Sequence, residues 1–522
     1  MTWRIDVRWD GERWSATDLP VVVQESTSIL ASTQPGYNPR SFGFRMDLGN
    51  TLAKLAAGRH PATCQVQITY GGRLLSTAPV VSMVGARAGE LTQVEVSDRR
   101  PRDGTKIPSL RDMRIVSVDE EQTARNQEQA LEAARVQNDR YRRERIGDLE
   151  WRNGSVVFTQ KIVEAVWATA YADKVEGRVY PLILGRPGSD GTPAAPAYPI
   201  DASNELLLVA GHQCTPGAVI VYRVQTDGTR SAAGYTVSHT TDLSGRLVAV
   251  VDITSGQEVS GSPIGYDEAS AYFVAWNGTA SGVDGDAAGL LRYLAGQDLG
   301  VRVDHGSITE LRGTLASFSF GGVVTSPTSA WSLIQGNLLP MLPVIAVPTN
   351  QGVGFRHIQL DATGSDARVH LRAGPELVLT GPPKVAGGDT VRNLISVNYS
   401  YNLTSSGYAN VVAGGAGTSD IGERSRQLHG VAEEEVDAPW VYSAAVAGQV
   451  LRNQLLRRAV DRVSLQYQCN PATHGVEGTV PLRVGDVVRL TDSDAGLTAR
   501  TAMISSTRRF GQDLRVTLTL LG

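Results

Sequence analysis

Lysine and cysteine are scarce in this chain. Five of the 49 basic residues are lysines and the rest are arginines, so its positive charge is carried almost wholly by planar guanidinium groups. These suit bidentate pairs at subunit interfaces, although a GC-rich coding bias produces the same composition. Three cysteines, Cys64, Cys214 and Cys469, are odd in number and far apart, which argues against a disulfide framework and a four-ligand zinc site and fits synthesis in a reducing compartment. No run approaches the roughly 18 apolar residues of a membrane-crossing helix. The opening MTWRIDVRWDGERW lacks the apolar core of an export signal, so the expectation is synthesis in a cytoplasm without a leader of its own. A net charge of −4 on 522 residues excludes a protein built mainly to coat nucleic acid or an anionic membrane. The phosphate-loop, dinucleotide, H-E-x-x-H and G-x-S-x-G signatures are all missing, which weakens any enzymatic reading.

What is present points to turns and strands. A hydrophobic content of 41% with 55 glycines and 24 prolines describes a folded, turn-rich, mainly β protein with α+β parts, long enough for several domains. Residues 1–118 alternate as half-buried strands do. Within them QVQITY and RLLST flank Gly71-Gly72, a two-residue hairpin turn in a β-sandwich or small barrel. Residues 119–149 read as a helical arm, with Ser117 and Glu120 at capping-box spacing. Residues 150–200 form a connecting segment and 201–280 an inserted β-sandwich.

Residues 281–375 form an α+β unit. Here DAAGLLRYL places Leu290, Leu291 and Leu294 on one helical face, Ser307 and Glu310 form a second capping box, and Ser326 caps a helix carrying Trp331, Ile334 and Leu338. Residues 376–522 return to strands around a helix at 437–461. Its stripe is Val441, Ala444, Gly448, Leu451 and Leu455, with Gly448 admitting a close partner backbone.

Four groups invite chemistry. His212 and Cys214 have the spacing of two metal ligands without a second pair. The run Glu433, Glu434, Glu435 and Asp437 invites a glycosidase reading, against helix-dipole or solvent-facing roles. DSDAG at 492–496 offers oxygen ligands but lacks the downstream glutamate of a calcium loop. Gly485 and Asp486 read as strand entry, with glycine permitting the bend and aspartate accepting turn amides. No catalytic, cofactor or metal residue is assigned. A surface-glycan-binding or glycan-degrading protein is the alternative, hinted at by Trp276, Tyr272 and Tyr266, for which core packing is the competing account.

The order of GRVYPLILGRPG, LLLVAGH, DAAGLLRYL…VDHGSITEL and LRVGDVVRLTD…RTAMISSTRRF…LRVTLTL resembles the central tail-tip or baseplate hub proteins of long-tailed bacteriophages and gene transfer agents. The resemblance implies a homotrimer in the virion. Two tail-tube-like β-domains per chain, 1–118 and 376–522, would form a ring of six similar units against the six-fold tail tube. It also implies a structural protein without a cofactor, meeting the distal tail or tail-tube protein, the tape measure protein and other tip or fibre proteins. DNA would touch it in transit and the host envelope indirectly. The chain stops at Gly522 without the receptor-binding modules of the longest members, so host recognition is expected to belong to another polypeptide.

Overall fold

The computed structural model describes residues 3–97, 179–385, 391–414 and 421–521, less short stretches within those ranges, together with strand fragments at 106–107, 115–116, 144–146, 149–152, 155–158 and 165–166. The protein is mainly β and multidomain. Ser117, Glu120 and most of the expected helical arm lie outside the described residues. Where the arm was expected to end, Glu144–Ile146 instead pairs as a strand with Leu149–Arg152, which pairs in turn with Ser155–Phe158; apolar alternation through Trp151, Val156 and Phe158 outweighs the helix-forming composition upstream.

The N-terminal strands are β1 (Trp3–Trp9), β2 (Glu12–Thr17), β3 (Val22–Ser26), β4 (Ser41–Met46), β5 (Gln65–Tyr70), β6 (Arg73–Val84) and β7 (Thr92–Ser97), with helix α1 (Thr51–Ala56) between β4 and β5. Trp3, Ile5, Val7 and Trp9 all face inward from β1, the period of two that the sequence shows, and meet Phe42, Phe44, Val66 and Ile68 in one core. Tyr70 and Arg73 close the Gly71-Gly72 turn.

β8 (Leu182–Gly185) leads into the inserted unit: β9 (Ala195–Asp201), β10 (Leu206–Ala210), β11 (Ala218–Gln225), β12 (Gly228–Thr241), β13 (Leu247–Asp252) and β14 (Ala271–Trp276). Pairing runs β11-β14-β9-β10-β13-β12 and returns from β12 to β11, with the first half of β9 on β14 and its second half on β10, and the first half of β12 on β11 and its second half on β13.

The α+β unit contains α2 (Ala287–Ala295), α3 (His305–Leu311), β15 (Gly321–Val324), α4 (Ala330–Leu333, continued as a π-turn over Ile334–Leu338), β16 (Val344–Thr349) and β17 (Gly352–His357). Leu290, Leu291 and Leu294 are fully buried. Two caps differ from expectation. Asp304, not the Ser307–Glu310 box, caps α3 by accepting from the Ser307 amide at 3.3 Å. Ser307 instead donates from Oγ to the Asp304 carbonyl and accepts from the Phe355 amide. Ser329, not Ser326, caps α4 by accepting from the Ser332 amide. Both errors have one cause: several residues before each helix carry a capping oxygen, and tertiary contacts choose among them.

The C-terminal part holds β18 (Val369–Arg372), β19 (Leu377–Leu379), β20 (Leu394–Asn402), β21 (Gly407–Ala413), α5 (Glu423–His429), β22 (Glu433–Ala438), α6 (Ala444–Arg458), β23 (Val463–Cys469), β24 (Val487–Asp492), β25 (Leu497–Phe510) and β26 (Asp513–Leu520). The expected helix at 437–461 is shorter, because Glu433–Ala438 is a strand pairing in parallel with β20. Its buried stripe is accordingly Val446, Ala447, Val450, Leu451 and Leu455, while Ala444 is exposed. Gly448 faces open space within the chain, with no atom within 4 Å of where a Cβ would stand. Val397, Trp440, Val450 and Leu451 share a core with Leu290, Ile308 and Ile334, whereas Leu465, Tyr467, Val488, Ile504 and Val516 form another. The packing boundary therefore does not fall at 376.

β3 pairs antiparallel with β25, from Val22 opposite Phe510 to Ser26 opposite Ser506. N- and C-terminal strands thereby form one sheet in the order β2-β1-β5-β6-β7-β4-β3-β25-β26-β23-β19, a path that is open at both ends among the described residues.

The inserted unit, the α+β unit and the Trp440 corner meet beside Gly185. Gly185 has φ +65°, and a Cβ there would overlap the Phe320 carbonyl oxygen; a Cβ on Gly322 would lie 2.6 Å from the Trp440 ring. The Arg186 amide donates to the Phe320 carbonyl, Trp276 to Pro187, Phe320 to Gly285 and Gly321 to Trp440. Gly185→Ala is expected to lower stability by about 3 kcal/mol through positive φ and overlap with backbone. Gly448→Ala, in open helical surface, is expected to raise it by about 0.5–1 kcal/mol. Urea unfolding of the two variants checks both signs.

Candidate functional site

A cavity of about 590 Å³ lies where the N-terminal strands, the β16–β17 hairpin and the C-terminal strands converge. Three arginines on its wall each tie two of these units together. Arg509 of β25 donates to the Tyr70 hydroxyl at 2.6 Å, and its guanidinium lies 4.3 Å from the Tyr70 ring centre and 5.4 Å from that of Trp3. Arg40 donates to the Leu75 carbonyl at 2.8 Å and reaches the Thr349 carbonyl of β16 at 3.5 Å. Arg356 of β17 donates to the Val484 carbonyl and lies 3.7 Å from Asp486. A guanidinium can stack and donate in several directions at once, which an ammonium cannot. The arginine bias of the sequence serves, at these positions, contacts between parts of one chain.

Asp486 lies next to this wall, beside the lining residues Arg483 and Arg356. Its carboxylate accepts from the Arg483 amide at 3.0 Å and from Arg368 at 2.9 Å. Gly485 has φ +89° and donates to the Ile504 carbonyl, which places the bend against β25. Among the described residues the Asp486 carboxylate thus meets one amide and two guanidinium groups beside the entry of β24.

The other candidates separate. Ile183 N–H can only donate, so Nε2 of His212 must accept it at 3.0 Å, and the ring proton sits on Nδ1 near the Gln213 carbonyl. Both ring nitrogens are occupied, and burial pushes the Cys214 thiol up to about 12. This pair is a hydrogen-bonded part of the fold. His239 completes it by accepting from the Cys214 amide at 3.1 Å. Among the described residues no group of three or more His, Cys, Asp or Glu could hold a metal.

The acidic run is split by its strand. Glu434 points inward to Arg458 and Arg392, while Glu433, Glu435 and Asp437 are exposed on the opposite face. Carboxylates that share one face of one strand do not flank a bond as a glycosidase requires. Asp492 of DSDAG accepts from the Tyr467 hydroxyl at 2.7 Å and from the amides of Asp494 and Ala495, so it shapes a hairpin turn. Trp276 and Tyr272 are buried in the inserted core, which removes them from any sugar-binding face; Tyr266 lies outside the described residues. The arginine ties had no sequence motif, because their partners are carbonyls and rings far away in the chain.

No protein-family model matches the chain. No curated protein sequence matches it either. Among solved structures it is similar to the 43 kDa tail protein of prophage MuSo2 from Shewanella oneidensis, at 9% identity and TM-score 0.38, covering 99% of this chain and 98% of that one. It is also similar to a tail protein from Neisseria meningitidis MC58, at 8% identity and TM-score 0.36 over 100% and 96% of the two chains. A chain from the virion of a native gene transfer agent particle aligns at 13% identity and TM-score 0.38, over 69% and 88%.

Two outcomes follow from this geometry. Arg509→Lys should cost about 1–2 kcal/mol by losing stacking and the charged hydrogen bond, read as faster amide exchange in β3 and β25. Burial holds His212 below the ordinary imidazole value of 6.5, with the Gln213 carbonyl opposing and His239 adding to the effect. A depressed folded-state pKa means that the stabilisation is complete above about pH 6.5 and is lost as pH falls below it, by at most about 1.4 kcal/mol per unit. Urea midpoints of the inserted unit should therefore drop between pH 7 and 5.5, and His212→Gln should flatten that slope.

Proposed function

We propose that this chain is a structural hub of a phage tail tip or baseplate, acting as a homotrimeric adaptor between a six-fold tail tube and the tip. The observation that carries the reading is the β3–β25 pairing, which lays the N- and C-terminal strands side by side in one open sheet. Two strand domains per chain, taken three times, present six units to a six-fold tube. An open sheet can add copies head to tail until a rotation closes the ring. The order of sequence motifs supports the same reading.

In this role the chain performs no catalysis. It meets the tail-tube or distal tail protein above, the tape measure protein within and tip or fibre proteins below, and lines a gated passage for DNA at ejection. Gating is a shift between two packed arrangements, driven by whatever partner binds one of them better. Sedimentation and native mass measurement should give three chains of 55.8 kDa, and the assembly should bind tail-tube protein. A monomer at every concentration that ignores tube protein overturns the reading.

A further inference from the structure

Two edge strands of this chain carry opposite charge at the same pitch. Among the described residues β22 pairs only with β20, and β18 only with β24, so each keeps one row of backbone donors and acceptors free for another strand. On β22, Glu433, Glu435 and Asp437 are exposed, while Val436 and Ala438 turn to the core. On β18, His370 and Arg372 are exposed, with Arg368 one alternate step before them, while Val369 and Leu371 turn inward. Alternate residues of a strand stand about 6.6 Å apart, so the acidic row and the basic row match in spacing and in length.

Two of these side chains take neutral partners within the chain: His370 shares a hydrogen bond with Thr491 at 2.8 Å, and Asp437 accepts from Asn398 at 3.0 Å. Arg368 reaches Asp486, but among the described residues Arg372, Glu433 and Glu435 have no ion-pair partner. We propose that β22 of one copy lies antiparallel along β18 of a second copy, setting Glu433 opposite Arg372, Glu435 opposite His370 and Asp437 opposite Arg368. Backbone pairing supplies affinity in such a contact, and opposed charges fix register and partner. The occupant is another copy of this chain because one molecule carries both halves of the match. The two strips lie at different places on that molecule, so the contact is head to tail, and its closing at three rests on the trimeric hub reading.

The test is self-association of the full chain by sedimentation equilibrium. Glu433→Arg and Arg372→Glu should each weaken association about tenfold, and the chain carrying both should recover to within about threefold of the unaltered protein. A chain with Glu435→Cys and His370→Cys should form disulfide-linked oligomers on mild oxidation. An unaltered trimer that is indifferent to both single reversals, or a double reversal that does not recover, overturns this contact and leaves the hub reading standing. An unaltered chain that stays monomeric at every concentration removes both.

Discussion

The absence of side chains at Gly185, Gly321 and Gly322 is the constraint on which the rest of the molecule depends. Here the segment entering the inserted unit, the strand leaving the α+β unit and the Trp440 corner ahead of α6 come within backbone contact. Close approach of this kind excludes water and leaves each amide one partner, so the segments cannot shift independently. Asp190 extends the junction by accepting from Ser400 Oγ at 2.5 Å. Ser400 sits at φ +59° in the middle of β20, a conformation that costs about 1–3 kcal/mol and persists where surroundings over-determine it. The inserted unit is thus held at its root, whatever its own outer surface meets.

The arginine ties around the cavity work differently. Each spans two units through a guanidinium that donates to carbonyls or a hydroxyl or stacks on aromatic faces, and Arg356 also lies 3.7 Å from a carboxylate. Such contacts are directional, and each exchanges for water without leaving a buried unpaired acid. A seam built this way can open and reclose more readily than the glycine junction. The molecule therefore combines one rigid crossing with one more adjustable seam.

Much of this was legible in the chain. Alternation placed β5, β6 and the last strands, because one face of each is buried and the other wet. Gly71-Gly72 announced its hairpin, and Leu290, Leu291 and Leu294 announced the core face of α2. The strand at Glu433–Ala438 was hidden because its inward position is a glutamate, and an inward carboxylate reads as polar until Arg458 and Arg392 are seen beside it. The helix cap moved for a related reason: Asp304 and Ser307 are equivalent in sequence, and the Phe355 amide takes the serine. Sites formed by residues distant in the chain, such as Arg509 with Tyr70, leave no local pattern to read.

The two large β assemblies resolve their edges in opposite ways, and this difference bears on assembly more directly than composition does. In the inserted unit the pairing runs in a circuit that β12 closes by returning to β11, with β9 and β12 each giving one half to one neighbour and the other half to the next. Elsewhere edges stay open: β2 and β19 end the path of the main sheet, β18 sits at a further edge of it, and β22 is an edge of the separate three-stranded sheet β21-β20-β22, each without a second partner among the described residues. Unpaired edges invite indiscriminate pairing unless charge restricts it. Charged residues stand at three of these edges, Glu12 and Arg13 on β2, Arg372 on β18 and Glu433 and Glu435 on β22, whereas β19 is Leu-Val-Leu. Open edges guarded by charge favour a particular neighbour over aggregation, whereas a closed circuit favours none. Among the described residues the chain thus closes a strand circuit in its inserted unit and leaves edges open elsewhere.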